Sequence, residues 1–176
     1  RQVRLDVTIF NEELCAVQRV LPPVPSEPMS IWFGDGATGD VNLSGIYRTG
    51  DNPIVEVLVP ADLKGLSLWV VVVDNTGSVF NLLPNIKQDE HDIQNVGRIE
   101  NGLRRVDEKK EYFRTFVNAD SYGKSEVIAI LSKTSLFGIR RPKDESIASF
   151  AEALAEIVRE EPENIVSIAS RVIDAR

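Results

Sequence analysis

The sequence predicts a mainly β protein: an antiparallel β-sandwich with a short N-terminal helix and two C-terminal helices. Three observations carry that expectation. Residues 66–85 hold two β-branched and aromatic runs around Asp74-Asn75-Thr76-Gly77, the signature of a β-hairpin. The first of these runs, Leu68-Trp69-Val70-Val71-Val72-Val73, is apolar throughout and reads as a central strand covered on both faces. Other short strand-like runs recur along the chain, whereas helical periodicity is confined to its ends, which favours a sandwich over an α/β sheet.

The elements follow in order. Residues 3–9 alternate apolar and polar side chains, the period of a strand with one wet face. Asn11 is placed to cap a short helix carrying Leu14, Val17 and Leu21, which Pro22-Pro23-Val24-Pro25 ends. Residues 30–33, 41–47 and 53–59 resume the strand pattern, interrupted by a turn-rich loop over 34–40. The hairpin follows and stops at Leu83-Pro84, where proline cannot donate to a ladder. Short strands are expected around Gly97-Arg98-Ile99 and over 103–106, then a strand pair over 112–117 and 126–132. Beyond Pro142 the period changes. Ile147, Phe150, Ala151, Leu154, Ile157 and Val158 mark one helix, with Asp144 or Ser146 to cap it. Ile165, Ile168, Ala169, Val172 and Ile173 mark a second, with Pro162 in its first turn. The expected division is a sandwich over 1–138 and a helical appendage over 139–176, packed on the sandwich or on a partner.

Composition narrows the function. The net charge is −7, with 27 Asp and Glu against 20 Lys and Arg, which argues against nucleic acid and anionic membrane surfaces as partners. The longest apolar runs are strand-length, so no membrane insertion is expected. The abrupt opening at Arg1 reads as an excised domain whose compartment, cytoplasmic or periplasmic, is set by missing upstream sequence. A single cysteine, Cys15, permits no internal disulfide. With one histidine, His91, it cannot build a His/Cys zinc site. No cofactor is implied.

The order of motifs resembles a known family. Leu14-Cys15-Ala16-Val17, Tyr47-Arg48-Thr49-Gly50-Asp51 with Ile54-Val55-Glu56-Val57, the hairpin ending in Leu82-Leu83-Pro84-Asn85, and Gly123-Lys124-Ser125-Glu126 leading into Val127–Ser132 together resemble an uncharacterised bacterial β-sandwich domain. That domain is appended C-terminally to caspase-like peptidases and serine/threonine kinases. The match spans about residues 12–137, leaves out the tail after Pro142, and has one residue more than the usual Gly-x-Glu. It implies an accessory recognition or regulatory module with no catalytic residues.

Several side chains are suited to chemistry, and each also has a simpler reading. Asp35, Asp40 and Asp51 sit in turn-rich loops and would be the candidates for a calcium-binding or small-ligand sensor. Asp and Gly are equally what turns select. Gly123-Lys124-Ser125 lacks the preceding glycines of a phosphate loop and reads as a hairpin turn. Asp89-Glu90 and Glu160-Glu161 read as solvated surface, and Arg104-Arg105 as edge-strand protection or an internal salt link. Trp69 is expected in the core, while Trp32, beside an open loop, is a candidate exposed contact. Arg140 and Arg141 are candidates for docking an acidic partner. Phe150 and Leu154, on the broad apolar helix face, are candidates for docking a protein partner or a second copy. The functional expectation is a non-enzymatic interaction or regulatory module that binds a protein partner or forms a homo-oligomer.

Overall fold

Every residue of Ser67–Val73 (β4) is buried, and the reason is its place in the stack of layers. The computed structural model describes residues 12–107 and 122–176. Strands β1 (Ser30–Asp35), β2 (Ile46–Tyr47), β3 (Pro53–Pro60), β4, β5 (Ser78–Leu83), β6 (Arg98–Glu100), β7 (Leu103–Asp107), β8 (Gly123–Ser132), β9 (Asp144–Ser146) and β10 (Ile165–Ala175) follow one another along the chain. Helix α1 (Cys15–Val20) precedes them, and α2 (Ile147–Glu160) stands between β9 and β10.

Among the described residues there are two sheets. One has the order β1-β3-β7-β6, the other β2-β10-β8-β4-β5-β9. Neighbours pair antiparallel, except that the short β2 runs parallel to β10. Alternating side chains sort to opposite faces. Ile31, Phe33, Val55, Val57, Val59 and Val106 of the first sheet share one core with Leu68, Val70, Val72, Val127, Ala129 and Leu131 of the second. The intervening residues Trp69, Val71, Val73, Ile128 and Ile130 face the other way, into a second core with Val17 of α1 and with Ile147, Phe150 and Leu154 of α2. The two β4 faces therefore meet a sheet and a helical layer. Water reaches neither.

Local chemistry explains the boundaries. The β4–β5 hairpin closes where the Asp74 N–H donates to the Ser78 carbonyl at 2.8 Å. Ser146 caps α2, its hydroxyl accepting from the Ser149 N–H at 3.1 Å. Pro162 sits one residue into the turn that ends α2, closed by the Asn164 N–H on the Glu161 carbonyl at 3.1 Å. Gly97 has φ +71°, and a Cβ there would lie 2.3 Å from the Arg105 carbonyl oxygen. Gly97→Ala is expected to cost at least ~2 kcal/mol, combining left-handed strain with a backbone clash. Urea unfolding of the variant checks it.

Four expectations are corrected. The second C-terminal helix is a strand: β10 pairs with β8 from Ile165 to Ala175, and Ile165, Ser167, Ala169, Ile173 and Ala175 are its buried positions. Its apolar residues fit both periods, but Ile165, Val166, Ile168, Val172 and Ile173 are β-branched, and such side chains favour the pleated surface. Residues 139–176 thus hold a helix and two strands. Second, only Ile46–Tyr47 of residues 41–47 forms a strand. Asn42 Oδ1 accepts from the Ser44 hydroxyl and the Gly45 N–H, turning the chain, and a Cβ at Gly45 (φ +70°) would lie 2.6 Å from the Val172 carbonyl oxygen. Third, Gly123-Lys124-Ser125 opens β8 instead of forming a turn. Fourth, the strand carrying Arg104 and Arg105 is no edge; it lies between β3 and β6. The expected strands over 3–9 and 112–117, and the Asn11 cap, lie outside the described residues.

One buried acid sets a pH dependence. Glu126 on β8 is 5% exposed, and its Oε1 accepts from Gln18 of α1 at 2.5 Å, while Oε2 has no hydrogen-bond partner. Burial pushes its carboxyl above the usual value of 4.5, against the opposing pull of the neighbouring Ser170 and Gln18 side chains. The folded state therefore holds this proton more tightly than the unfolded chain, and stability falls as pH rises from about 4.5 through the higher folded value. Glu126→Gln removes that charge. The variant's melting temperature relative to wild type is expected to rise between pH 4 and pH 8, as read in paired thermal melts at those two values.

Candidate functional site

Two loops that leave the six-stranded sheet at the same end enclose a groove. Pro84, Asn85 and Ile86, just past β5, form one wall, and Arg140, Arg141, Pro142 and Lys143, just before β9, form the other. Asn81 lies at its base, and the cavity measures about 430 Å³, a volume within the usual range for ligand sites. The pairing of β5 with β9 brings these segments together. Among the described residues, three cations and no carboxylate line it.

The base is wired into the core. Asn81 is 3% exposed. Its Oδ1 accepts from the Trp69 indole N–H at 3.0 Å, and its Nδ2 donates to the Pro142 carbonyl at 2.9 Å and to Glu145 Oε2 at 3.0 Å. Every hydrogen-bonding atom of this side-chain amide is therefore engaged. Glu145 in turn accepts from Arg141 through both carboxylate oxygens, a forked pair, and from the Ser149 hydroxyl at 3.0 Å. Burial pushes the Glu145 carboxyl up. The hydrogen bonds from Arg141, Asn81 and Ser149 outweigh that and hold it below the usual range. Arg141 also lies over the Phe137 ring, 5.1 Å from its centroid. Phe137 packs edge-on against Trp69 at 4.9 Å and against Phe150 at 5.8 Å.

The chain segments that follow one wall and precede the other are also tied together. His91 Nε2 lies 2.8 Å from Ser135 Oγ, and Nδ1 lies 2.7 Å from the Asp89 carbonyl oxygen. Ser135 also donates to the Phe137 carbonyl at 2.8 Å, so this histidine–hydroxyl contact serves as a strut between the loops. Arg140 reaches Asp89 at 3.6 Å, and both side chains are well exposed, at 41% and 76%. Ile86 and Ile139 stand beside the groove, 80% and 85% exposed.

The sequence-derived candidates divide sharply. Arg140 and Arg141 meet in the groove. Trp32 does not: it stands on the first sheet, opposite Glu56, and is 40% exposed. Phe150 and Leu154 are fully buried against the six-stranded sheet, so the docking role expected of them is withdrawn. An apolar helix stripe fits its own sheet as well as it fits a partner.

Asp35 and Asp51 spend their carboxylates on turns, accepting from the Ala37 and Arg48 N–H groups, while the Asp40 N–H meets the Thr38 hydroxyl. Among the described residues no group of three or more His, Cys, Asp or Glu side chains is placed to hold a metal ion. Arg105 pairs with Glu56 and Glu100, at 3.6 and 3.5 Å, and Arg104 is buried with its guanidinium donating to the Val96 carbonyl. No helix among the described residues is long and apolar enough to cross a membrane.

Sequence reasoning missed Asn81, Ile86 and Lys143. Asn81 carried a signal, being the lone polar residue inside Val79-Phe80-Asn81-Leu82-Leu83. A second hollow, lined by Lys133, Thr134, Glu161, Pro162, Glu163 and Asn164, mixes both signs of charge, and Asn164 is committed to Thr134 at 2.9 Å. Compared with known proteins, the chain matches no family model, no curated protein and no solved structure.

Proposed function

We propose that the protein is a non-catalytic interaction module that docks a protein partner through the groove between residues 84–86 and 140–143. The observation that carries this reading is the groove's construction: surface cations are set on a base locked by Glu145, Asn81 and Trp69. Preorganised walls reduce the ordering cost of association. Exposed Ile86 and Ile139 supply apolar contact beside the charges. Apolar area flanked by polar groups is the usual anatomy of a docking surface. The antiparallel two-sheet arrangement is read as a β-sandwich, and the resemblance to the bacterial accessory domain points to the same kind of role.

A photoreactive residue at position 86 tests the proposal, with position 99 as control. Ile99 is also exposed, at 58%, but lies on the edge strand β6 of the other sheet. In source-cell lysate, position 86 is expected to crosslink a distinct protein that position 99 does not, and Arg140→Glu with Lys143→Glu is expected to abolish that adduct. Equal labelling from both positions would overturn the proposal.

A further inference from the structure

We infer that the segment taken by the groove is an extended acidic peptide, with carboxylates for Arg140 and Lys143 and an apolar side chain for Ile86; this rests on the reading of the groove as the docking site. The lining holds Arg140, Arg141 and Lys143 and no acid. These three cations are not equivalent. Arg141 is held by Glu145, so its charge is matched and its guanidinium acts as a flat wall over Phe137. Among the described residues Arg140 has only an exposed contact to Asp89, and such pairs are worth ~0–1 kcal/mol. Its exchange for a ligand carboxylate is nearly free. Lys143 is exposed and has no ion-pair partner among the described residues.

The net charge decides how many negative charges the ligand carries. A protein at −7 repels a polyanion. Charges beyond the ~8 Å screening length of physiological salt are felt weakly, so a ligand with few, local carboxylates escapes most of that repulsion. Two available cations match a segment with two carboxylates. Pro84 and Pro142 have no backbone N–H to offer, which raises the share of recognition carried by side-chain charge and apolar contact. Ile86 in the facing wall and Ile139, next to Arg140 in the chain, are the two most exposed large apolar residues among the described residues and fit an apolar residue between the acids.

The test uses short fluorescein-labelled peptides with the full chain: one alternating Glu and Leu, one alternating Lys and Leu, one alternating Glu and Ser. Fluorescence anisotropy is expected to show binding of the Glu/Leu peptide, none of the Lys/Leu peptide, and weakening as salt is raised. Arg140→Glu with Lys143→Glu is expected to lower Glu/Leu affinity at least ~10-fold, with an unchanged melting temperature because both side chains are exposed. Ile86→Ser is expected to lower Glu/Leu affinity to that of Glu/Ser. Lys64→Glu, exposed on the turn after β3, is expected to change nothing. An equal loss with Lys64→Glu, or equal binding of Glu/Leu and Lys/Leu, would overturn the inference. If position 86 still crosslinks a single protein while the Glu/Leu peptide fails to bind, the acidic-segment inference falls and the docking reading stands. If position 86 captures nothing, both fall.

Discussion

Truncation after Gly138 is expected to abolish cooperative folding, leaving a chain without a thermal transition. The removed residues carry β9, α2 and β10. β10 fills the place between β2 and β8, so its loss exposes the long buried strand β8 as an edge. α2 covers Trp69, Val71, Ile128 and Ile130 on the opposite face of the sheet. Ile147, Phe150, Leu154, Ile165 and Ile173 are all buried. At roughly 1.5–3 kcal/mol for each such side chain, their removal matches the whole stability of a typical domain, roughly 5–15 kcal/mol. Circular dichroism through a thermal ramp, with sedimentation to follow aggregation, reads the outcome. A folded, monomeric 1–138 fragment would support the division of the chain at 138 and make the tail an appendage.

Glu145→Ala is expected to destabilise the protein by about 3 kcal/mol, because breaking a buried charge pair leaves the surviving partner uncompensated. The Glu145 side chain is 5% exposed and the Arg141 side chain 23%. The alanine variant leaves Arg141 without its counter-charge and the Asn81 amide one acceptor short. In a chain of this length the shift corresponds to roughly 10 °C in melting temperature. The pH dependence has a definite sign. Because its hydrogen bonds hold the folded-state carboxyl below the usual value of 4.5, Glu145 contributes stability above that value and loses it as pH falls through the lower folded one. The wild-type advantage over the variant is therefore full at pH 7 and shrinks towards pH 3. A gap that is the same at both pH values, or absent at pH 7, would contradict the role assigned to Glu145.

Much of the fold is legible where one local pattern has one physical reading. The Val70–Val73 run demanded cover on both sides, and it has a sheet on one and helices on the other. Ser146 was readable as a cap because its hydroxyl precedes an apolar stripe of clear helical period. Residues 165–173 failed because Ile165, Ile168, Ala169, Val172 and Ile173 carry a helical spacing although four of them are β-branched, and only pairing with β8 settles the choice. The groove is harder still. Asn81 and Lys143 are distant in sequence, and nothing local to either announces that β5 and β9 will align them. Arg140 and Arg141 drew attention as basic residues in an acidic chain. What could not be read was that Arg141 is spent on Glu145 while Arg140 stays available. Phe150 and Leu154 misled for the opposite reason, since a strong apolar stripe says that a surface is covered and not by what.

The most direct test of the groove as the working surface is chemical-shift mapping of the Glu/Leu peptide on isotope-labelled protein. Two side-chain signals report from inside the site: the Trp69 indole N–H and the Asn81 amide that accepts it at 3.0 Å. Titration is expected to shift the Asn81 side-chain signals and the backbone signals of residues 84–86 and 139–143 together along one binding curve, with the Trp69 indole following. Shifts centred instead on Trp32 of the other sheet and on Val41 and Leu43 in the loop between β1 and β2, or spread evenly over exposed basic residues, would contradict it.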